Sequence, residues 1–100
     1  MKQEIFTKYV DKVASQFDIT TEQMFAKTKD RKIVDARHLL YFLCSNRNMR
    51  IKFIQECLFA MGQKINHSNI IYGIASVEKR MKEDYDYQRI VRQFENSVSI

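Results

Sequence analysis

The chain has 100 residues, of which 45% are hydrophobic, and carries a formal net charge of +5 with an isoelectric point near 9.3. This length allows one compact core and excludes two cores of ordinary size. No apolar run reaches the roughly 18 residues that a membrane span needs, and the charged N-terminus lacks the apolar centre of a secretory signal. We therefore expect a soluble, intracellular protein, and the positive charge suits a polyanionic partner.

Apolar residues recur at helical spacing along the chain, and strand-like alternation is missing. The sequence therefore predicts an all-α fold, a single compact domain of about six helices spanning residues 1–100. The first helix stops near "FDITTEQ", where Thr20 and Gln23 have the spacing of a capping box that begins a short second helix. The inward-facing residues predicted for these two helices are Phe6, Tyr9, Val10, Val13 and Phe17, followed by Met24 and Phe25.

A basic connector, "AKTKDRKIVDAR", leads into the third predicted helix. The apolar stripe of that helix is formed by Ile33, Ala36, Leu40, Leu43 and Cys44. Arg37, His38 and Tyr41 fall on its other faces, so Arg37 is expected to be dispensable for folding. Cys44 and Cys57 have apolar neighbours and no C-x-x-C partner, which indicates buried free thiols and neither a disulfide framework nor a zinc site.

The polar turn "SNRN" ends the third helix, and Gly62 has the position of a C-terminal stop for the fourth. Asn66 is predicted to cap a fifth helix, whose apolar stripe Ile71 and Ala75 would widen. The stripes predicted for the last three helices are Ile51, Ile54, Leu58 and Met61; Ile70, Ile74, Val77 and Met81; and Tyr87, Ile90, Val91, Phe94 and Val98.

The fourth and fifth predicted helices, joined by a short turn that contains Gly62, have the pattern of a helix-turn-helix. In that motif the first turn of the second helix meets base edges in the major groove of DNA, so it needs polar groups of short or medium length. Residues of this kind open the fifth helix: Asn66, His67, Ser68 and Asn69. An ordinary capped and solvated helix start has the same composition, and the pattern alone leaves both interpretations open.

The segment "NHSNIIYGIASVE", Asn66 to Glu78, resembles the signature D-H-S/T-T-V-I-H-A-x-x-x-I-E of the C-terminal DNA-binding domain of the bacterial replication initiator DnaA. Upstream, "KTKDRKIVDARHLLYFL" is similar to the basic loop of that family followed by aR-Q-x-x-x-Y-L, and "VDKVASQFDITTEQMFAKTKDR" is similar to its first two helices. The resemblance covers roughly residues 5–82 and leaves an extra C-terminal helix at about residues 85–98.

The resemblance implies an all-helical domain of the Trp-repressor and DnaA domain IV type that binds a short element of double-stranded DNA. A helix-turn-helix would enter the major groove, and a basic loop would reach the adjacent minor groove. By position, Lys29 would be the minor-groove residue, Arg37 would hold the DNA backbone, and residues 66–68 would read bases. The expected DNA-binding residues are Lys29, Arg31, Lys32, Arg37, His38, Lys64, Asn66, His67, Ser68, Asn69 and Lys79.

The chain departs from the family pattern at several of these positions. The family has Asp where this chain has Asn66, Arg where it has Lys29, and commonly basic residues in place of Ala75 and Ser76. The first helix of the pair is also about one turn longer. These departures affect which DNA sequence the chain is expected to bind. They do not change the mode of docking that the resemblance implies.

Nothing in the sequence resembles the phosphate-cradling motif G-x-x-x-x-G-K-[ST] of an ATPase. We expect a stand-alone, non-enzymatic DnaA-like protein of a phage, mobile element or bacterium, acting in replication or transcription control. Its location would be the bacterial cytoplasm or nucleoid, or the host cytoplasm for a phage protein. The expected partner is double-stranded DNA, with no membrane, small-molecule substrate, cofactor or metal.

Two other functions remain open. A protein-interaction module of a replisome or virion assembly would keep the fold without specific DNA binding, as Ala75 and Ser76 suggest, although Lys79 and Arg80 argue the other way. Binding of RNA or single-stranded nucleic acid would need exposed stacking aromatics. The candidates for that role are Tyr41, Tyr72, Tyr85 and Tyr87, for most of which packing is the simpler explanation.

Overall fold

The computed structural model describes residues 2–98, and over this range it confirms the all-α fold, with six helices and no strand. The helices are α1 (Lys2–Gln16), α2 (Thr21–Met24), α3 (Arg31–Asn46), α4 (Ile51–Ala60), α5 (His67–Glu83) and α6 (Tyr85–Ser97). None of these helices in residues 2–98 has the length and apolarity to cross a membrane.

Helix α3 is the centre of the fold, because each of the other five helices packs against it. Every residue from Leu39 to Cys44 is buried, including Tyr41, whose exposed fraction is 2%. The expectation that Tyr41 lies off the apolar stripe is therefore wrong. A single stripe describes a helix with one packed face, whereas a helix surrounded by neighbours is buried on several sides.

Among the described residues, three helices end with a residue in the left-handed conformation: Asp18 after α1 (φ 56°), Asn48 after α3 (φ 64°) and Gly62 after α4 (φ 89°). At Gly62 the backbone N–H donates to the Phe59 carbonyl at 3.0 Å, and the next N–H donates to the Leu58 carbonyl at 2.9 Å. This is the Schellman pattern, which uses carbonyls that the last turn leaves unpaired. The predicted stop at Gly62 is confirmed.

Four helix starts, those of α2, α3, α5 and α6, are capped by short polar side chains, whereas α4 begins at Arg50 without a side-chain cap. Thr20 and Gln23 form the reciprocal capping box, with N···O distances of 3.0 and 2.8 Å. Asp30 accepts from the Lys32 N–H at 3.0 Å at the start of α3. These bonds pair N–H groups that the first turn of a helix leaves without partners.

Asp84 both ends α5 and begins α6. Its backbone N–H donates to the Arg80 carbonyl at 2.9 Å, and its carboxylate accepts from the Tyr87 N–H at 3.1 Å. Two helices therefore meet at one residue, with no linker between them.

Four residues that were predicted to face the core are exposed: Met61, Ile71, Ala75 and Ile90. In α5 the buried residues are Ile70, Gly73, Val77 and Met81, so the stripe is narrower than predicted. Ile71, with an exposed fraction of 55%, lies on the outer side of that helix.

Both cysteines are buried free thiols, as the sequence predicts. Burial raises the pKa of the Cys44 and Cys57 thiols above the usual value.

The C-terminal end of the fold is held by Arg47, whose guanidinium donates to the Tyr9 hydroxyl at 3.1 Å and the Val98 carbonyl at 2.8 Å.

Candidate nucleic-acid interface

The first turn of α5 presents an exposed polar surface formed by Asn66, His67, Ser68 and Asn69. Asn66 is the N-cap, and its side-chain oxygen accepts from the Asn69 N–H at 2.9 Å. The cap uses the oxygen of Asn66 and not its NH₂ group. A partner that approaches this turn would therefore meet donors and acceptors without first displacing a core contact.

The position of this turn is set by a close crossing of α5 over α3 at Gly73. A Cβ at Gly73 would lie 2.8 Å from the Cδ2 atoms of both His38 and Tyr41, closer than carbon atoms approach without a shift. The absent side chain therefore lets the backbone of α5 lie directly against the two rings. This crossing fixes the distance between the helices.

His38 belongs to the crossing and is half-buried. Its ring lies edge-on to Tyr72, with centroids 5.9 Å apart and an interplanar angle of 80°. Burial lowers the pKa of His38 below its usual 6.5, Asp35 opposes that shift, and two neighbouring arginines add to it. Burial also raises the pKa of Tyr41 to about 12. The crossing thus favours neutral side chains.

Arg37 is bound within the fold, which contradicts the expectation that it is dispensable for folding. Its Nε donates to the Met24 carbonyl at 2.6 Å, and its Nη2 donates to the Ala26 carbonyl. These bonds fasten the end of α2 and the beginning of the basic connector to α3. Apolarity patterns could not predict this, because the acceptors are backbone carbonyls of another segment.

The basic residues of the connector do not form one cluster. Arg37 and His38 line a small recess together with Asn69 of α5, whereas Arg31 and Lys32 line a separate groove with Arg80 and residues of α6. Arg31 Nε also lies 3.4 Å from Asp35 Oδ1, although its side chain is 90% exposed. Exposed pairs of this kind stabilise a fold by at most about 1 kcal/mol.

Three predicted lysines, Lys29, Lys64 and Lys79, are exposed. Lys29 lies in the connector, Lys64 in the turn before α5, and Lys79 in α5 itself. Lys79 follows Ser68 by eleven residues, about three helical turns, so both lie on the outer face of α5.

Tyr72 is a residue of this surface that the sequence interpretation considered for stacking on RNA or single-stranded nucleic acid, and did not include among the expected contacts to double-stranded DNA. Its exposed fraction is 67%, while Tyr41 is buried and Tyr87 packs beneath the Arg80 guanidinium at 4.2 Å. The packing role expected for most of the tyrosines therefore does not describe Tyr72. Its spacing of four residues from Ser68, which places it on the outer face, is the signal that could have identified it.

No cluster of three or more His, Cys, Asp and Glu side chains with metal-binding geometry occurs among residues 2–98.

Comparison with known proteins relates the chain to DnaA proteins. No family model matches the chain, and no solved structure gives a significant match. The chromosomal replication initiator protein DnaA of Oleidesulfovibrio alaskensis is 31% identical over 93 residues, which cover 91% of this chain and 18% of that protein. The chain is DnaA-like.

Two further DnaA proteins support this assignment over the whole DnaA-like chain. The one from Nautilia profundicola is 24% identical over 101 residues, 99% of this chain, and the one from Flavobacterium psychrophilum is 23% identical over 104 residues, 100% of this chain. The DnaA-like chain spans only 18% to 22% of the length of these three relatives. The resemblance of the chain to the DnaA family is thereby confirmed.

Proposed function

We propose that the DnaA-like chain binds double-stranded DNA in a sequence-specific manner, with α4 and α5 acting as a helix-turn-helix. The observation that carries the proposal is the exposed polar first turn of α5, residues 66–69, held in place by the crossing at Gly73. The major groove is about 12 Å wide and admits one helix. The role is one of binding, without a catalytic step.

Asn66, His67 and Ser68 would read base edges. The NH₂ group of Asn66 can donate to adenine N7, and its oxygen, which already accepts the cap hydrogen bond, keeps a second lone pair for the adenine amino group. A side chain that caps the helix can thus read a base at the same time.

Lysines around the docking helix would bind the DNA backbone. Lys64 precedes the first turn of α5, and Lys79 follows that turn by about three helical turns. Lys29 would reach the adjacent minor groove from the connector. Arg31 and Lys32 lie along the separate groove beside α6, and would add longer-range attraction to the duplex. Each phosphate neutralised contributes about −0.9 to the slope of log affinity against log salt.

Selection of binding sites from random duplex DNA, followed by a salt titration on the selected site, tests the proposal. We expect enrichment of one short motif and a negative salt slope. Lys29→Ala should reduce the magnitude of that slope by about 1, whereas Lys12→Ala, an exposed lysine of α1, should leave it unchanged. Absence of both enrichment and salt dependence would refute the proposal.

A protein-interaction module is the second candidate function. Phe59 and Met61, at the end of α4, have exposed fractions of 67% and 43%, and the Ser76 hydroxyl donates to the Tyr72 carbonyl of its own helix at 3.0 Å. Exposed apolar side chains and the loss of basic groups on α5 favour a protein partner. If this second function is correct, selection from random duplex DNA enriches no motif, and Phe59→Ser weakens binding to the protein partner.

A further inference from the structure

Tyr72 combines high exposure with a fixed ring. Two-thirds of its surface is open, at an exposed fraction of 67%, yet the ring rests edge-on against His38 at a centroid distance of 5.9 Å. An exposed side chain normally loses rotamer freedom when it binds a partner. For Tyr72 the fold has already restricted that freedom, so binding through this ring would cost less.

The surroundings of Tyr72 favour an anion. With Asn69, Arg37 and His38 it lines a recess of about 160 Å³ whose other lining residues are apolar or the buried Tyr41, and no carboxylate lines it within the described residues. Tyr72 and Asn69 are exposed at this recess, whereas Arg37 and His38 are half-buried. All four side chains carry hydrogen-bond donors, although two N–H groups of Arg37 already donate to the carbonyls of Met24 and Ala26.

The position of Tyr72 on α5 places it beside the wall of a DNA groove. It follows Ser68 by four residues and Asn69 by three, so it lies one turn beyond the first turn on the same outer face. A helix with its side chains is about 10–12 Å across and fills a major groove of about 12 Å. Its flanks therefore contact the walls, which are made of phosphates.

We propose that the Tyr72 hydroxyl donates a hydrogen bond to one phosphate oxygen of the bound duplex, and that His38 is the positioning residue that holds the ring for this contact. The inference rests on the proposed function and adds a backbone contact to it. A phosphate contact carries no base information, so it acts on affinity for every duplex.

Tyr72→Phe removes the hydroxyl and keeps the ring against His38. We expect it to lower affinity for the selected duplex and for a random duplex by the same factor, about 10-fold or more, as for loss of one hydrogen bond to a charged group. Tyr85→Phe is the matched control, because Tyr85 is 73% exposed but lies at the start of α6. It should bind as the wild type does.

Duplexes that carry a single neutral methylphosphonate at each position in turn identify the phosphate. The wild-type protein should lose affinity at one position where Tyr72→Phe does not, since that variant has already lost the contact. Equal sensitivity of the two proteins at every phosphate would overturn the assignment, as would a changed base preference in Tyr72→Phe, which would place the hydroxyl at a base edge.

His38→Ala is introduced into the wild-type protein and into the Tyr72→Phe variant. The comparison distinguishes a positioning role of His38 in DNA binding from an effect on folding stability alone. His38→Ala should destabilise both proteins equally, because a tyrosine ring and a phenylalanine ring keep the same packing. It should reduce DNA affinity more in the wild-type background, since only that protein has a hydroxyl to misplace. Equal affinity losses in the two backgrounds would show that His38 does not act through Tyr72.

Two failures are distinguishable. If the wild-type protein shows no duplex binding, the proposed function and this inference are both wrong. If the wild type selects a motif and Tyr72→Phe binds with unchanged affinity, the proposed function holds and the Tyr72 contact does not exist.

Discussion

The crossing at Gly73 and the first turn of α5 lie less than two helical turns apart, yet the crossing is tightly packed and the first turn is exposed. At the crossing, the backbone of α5 rests on the rings of His38 and Tyr41, with no room for a methyl group. In the first turn, residues 66–69 are all exposed, and the internal side-chain bond there is the Asn66 cap. The crossing is packed within the fold, whereas the first turn is exposed and can contact a partner.

This difference separates two kinds of mutational effect. Changes at or around the crossing should act on stability, and through the position of α5 they should act on all DNA alike. Changes in the first turn should alter which DNA is preferred and leave the fold as it is. The following substitutions test whether the two regions are independent in this way.

The largest effect is expected for Arg37→Ala, which removes two hydrogen bonds from a charged donor to the carbonyls of Met24 and Ala26. We expect the free energy of unfolding to fall by about 2–4 kcal/mol, measured by urea denaturation. Arg31→Ala is the control, because that side chain is 90% exposed and should change stability by less than about 0.5 kcal/mol. Similar values for the two variants would mean that the Arg37 bonds contribute little.

Asn66→Asp changes the first turn alone. Asp is as good an N-cap as Asn, so stability should stay within about 0.5 kcal/mol, but a carboxylate accepts hydrogen bonds only and suits the cytosine amino group. Preference at one base should shift away from adenine by about 1–3 kcal/mol. Binding to duplexes varied one base at a time gives the answer, and identical profiles would reduce Asn66 to a cap.

Gly73→Ala tests the crossing itself. Helix propensity alone would make Ala more stable by about 1 kcal/mol, but overpacking of this kind typically costs about 1–3 kcal/mol. We expect a net loss of up to about 2 kcal/mol in urea denaturation. Ala75→Gly, at an exposed position of the same helix, should lose about 1 kcal/mol through propensity. A stabilised Gly73→Ala variant would show that the crossing has spare room.

The smallest effect concerns pH and the half-buried His38. Burial lowers the pKa of His38 below its usual 6.5, so below about pH 6.5 the unfolded chain takes up a proton that the folded protein resists. Stability conferred by neutral His38 is therefore present above about pH 6.5 and is lost as the pH falls. Between about pH 7.5 and 5, urea denaturation should show that His38→Gln loses less stability than the wild type.

Local signals in the sequence predicted the ends of the helices well. The Thr20–Gln23 box, the Asn66 cap and the stop at Gly62 depend on the backbone within a few residues, where side-chain chemistry decides the outcome. The all-α class follows from the helical periodicity of the apolar residues. Long-range packing was harder to predict from the sequence. The burial of Tyr41 depends on how many helices surround α3, and the apolar pattern within one helix does not give that number.

The candidate site was predictable from the sequence only where its features are local. The polar run from Asn66 to Asn69 is contiguous, so its exposure at one helix start could be foreseen. The attachment of Arg37 to the carbonyls of Met24 and Ala26 could not, since those acceptors carry no sequence signature. The contact between His38 and Tyr72 is likewise created by the approach of two helices. Whether the predicted residues touch DNA stays a prediction.

The shared residue Asp84 has a consequence for the dynamics of α5. Because one residue pairs with the last turn of α5 through its N–H and with the first turn of α6 through its carboxylate, opening either helix end removes a bond from the other. Local opening reactions of this kind are visible in amide hydrogen exchange as cooperative units. The amides at the end of α5 and the beginning of α6 should therefore exchange in a common opening event, which makes α6 an extension of α5 in kinetic terms.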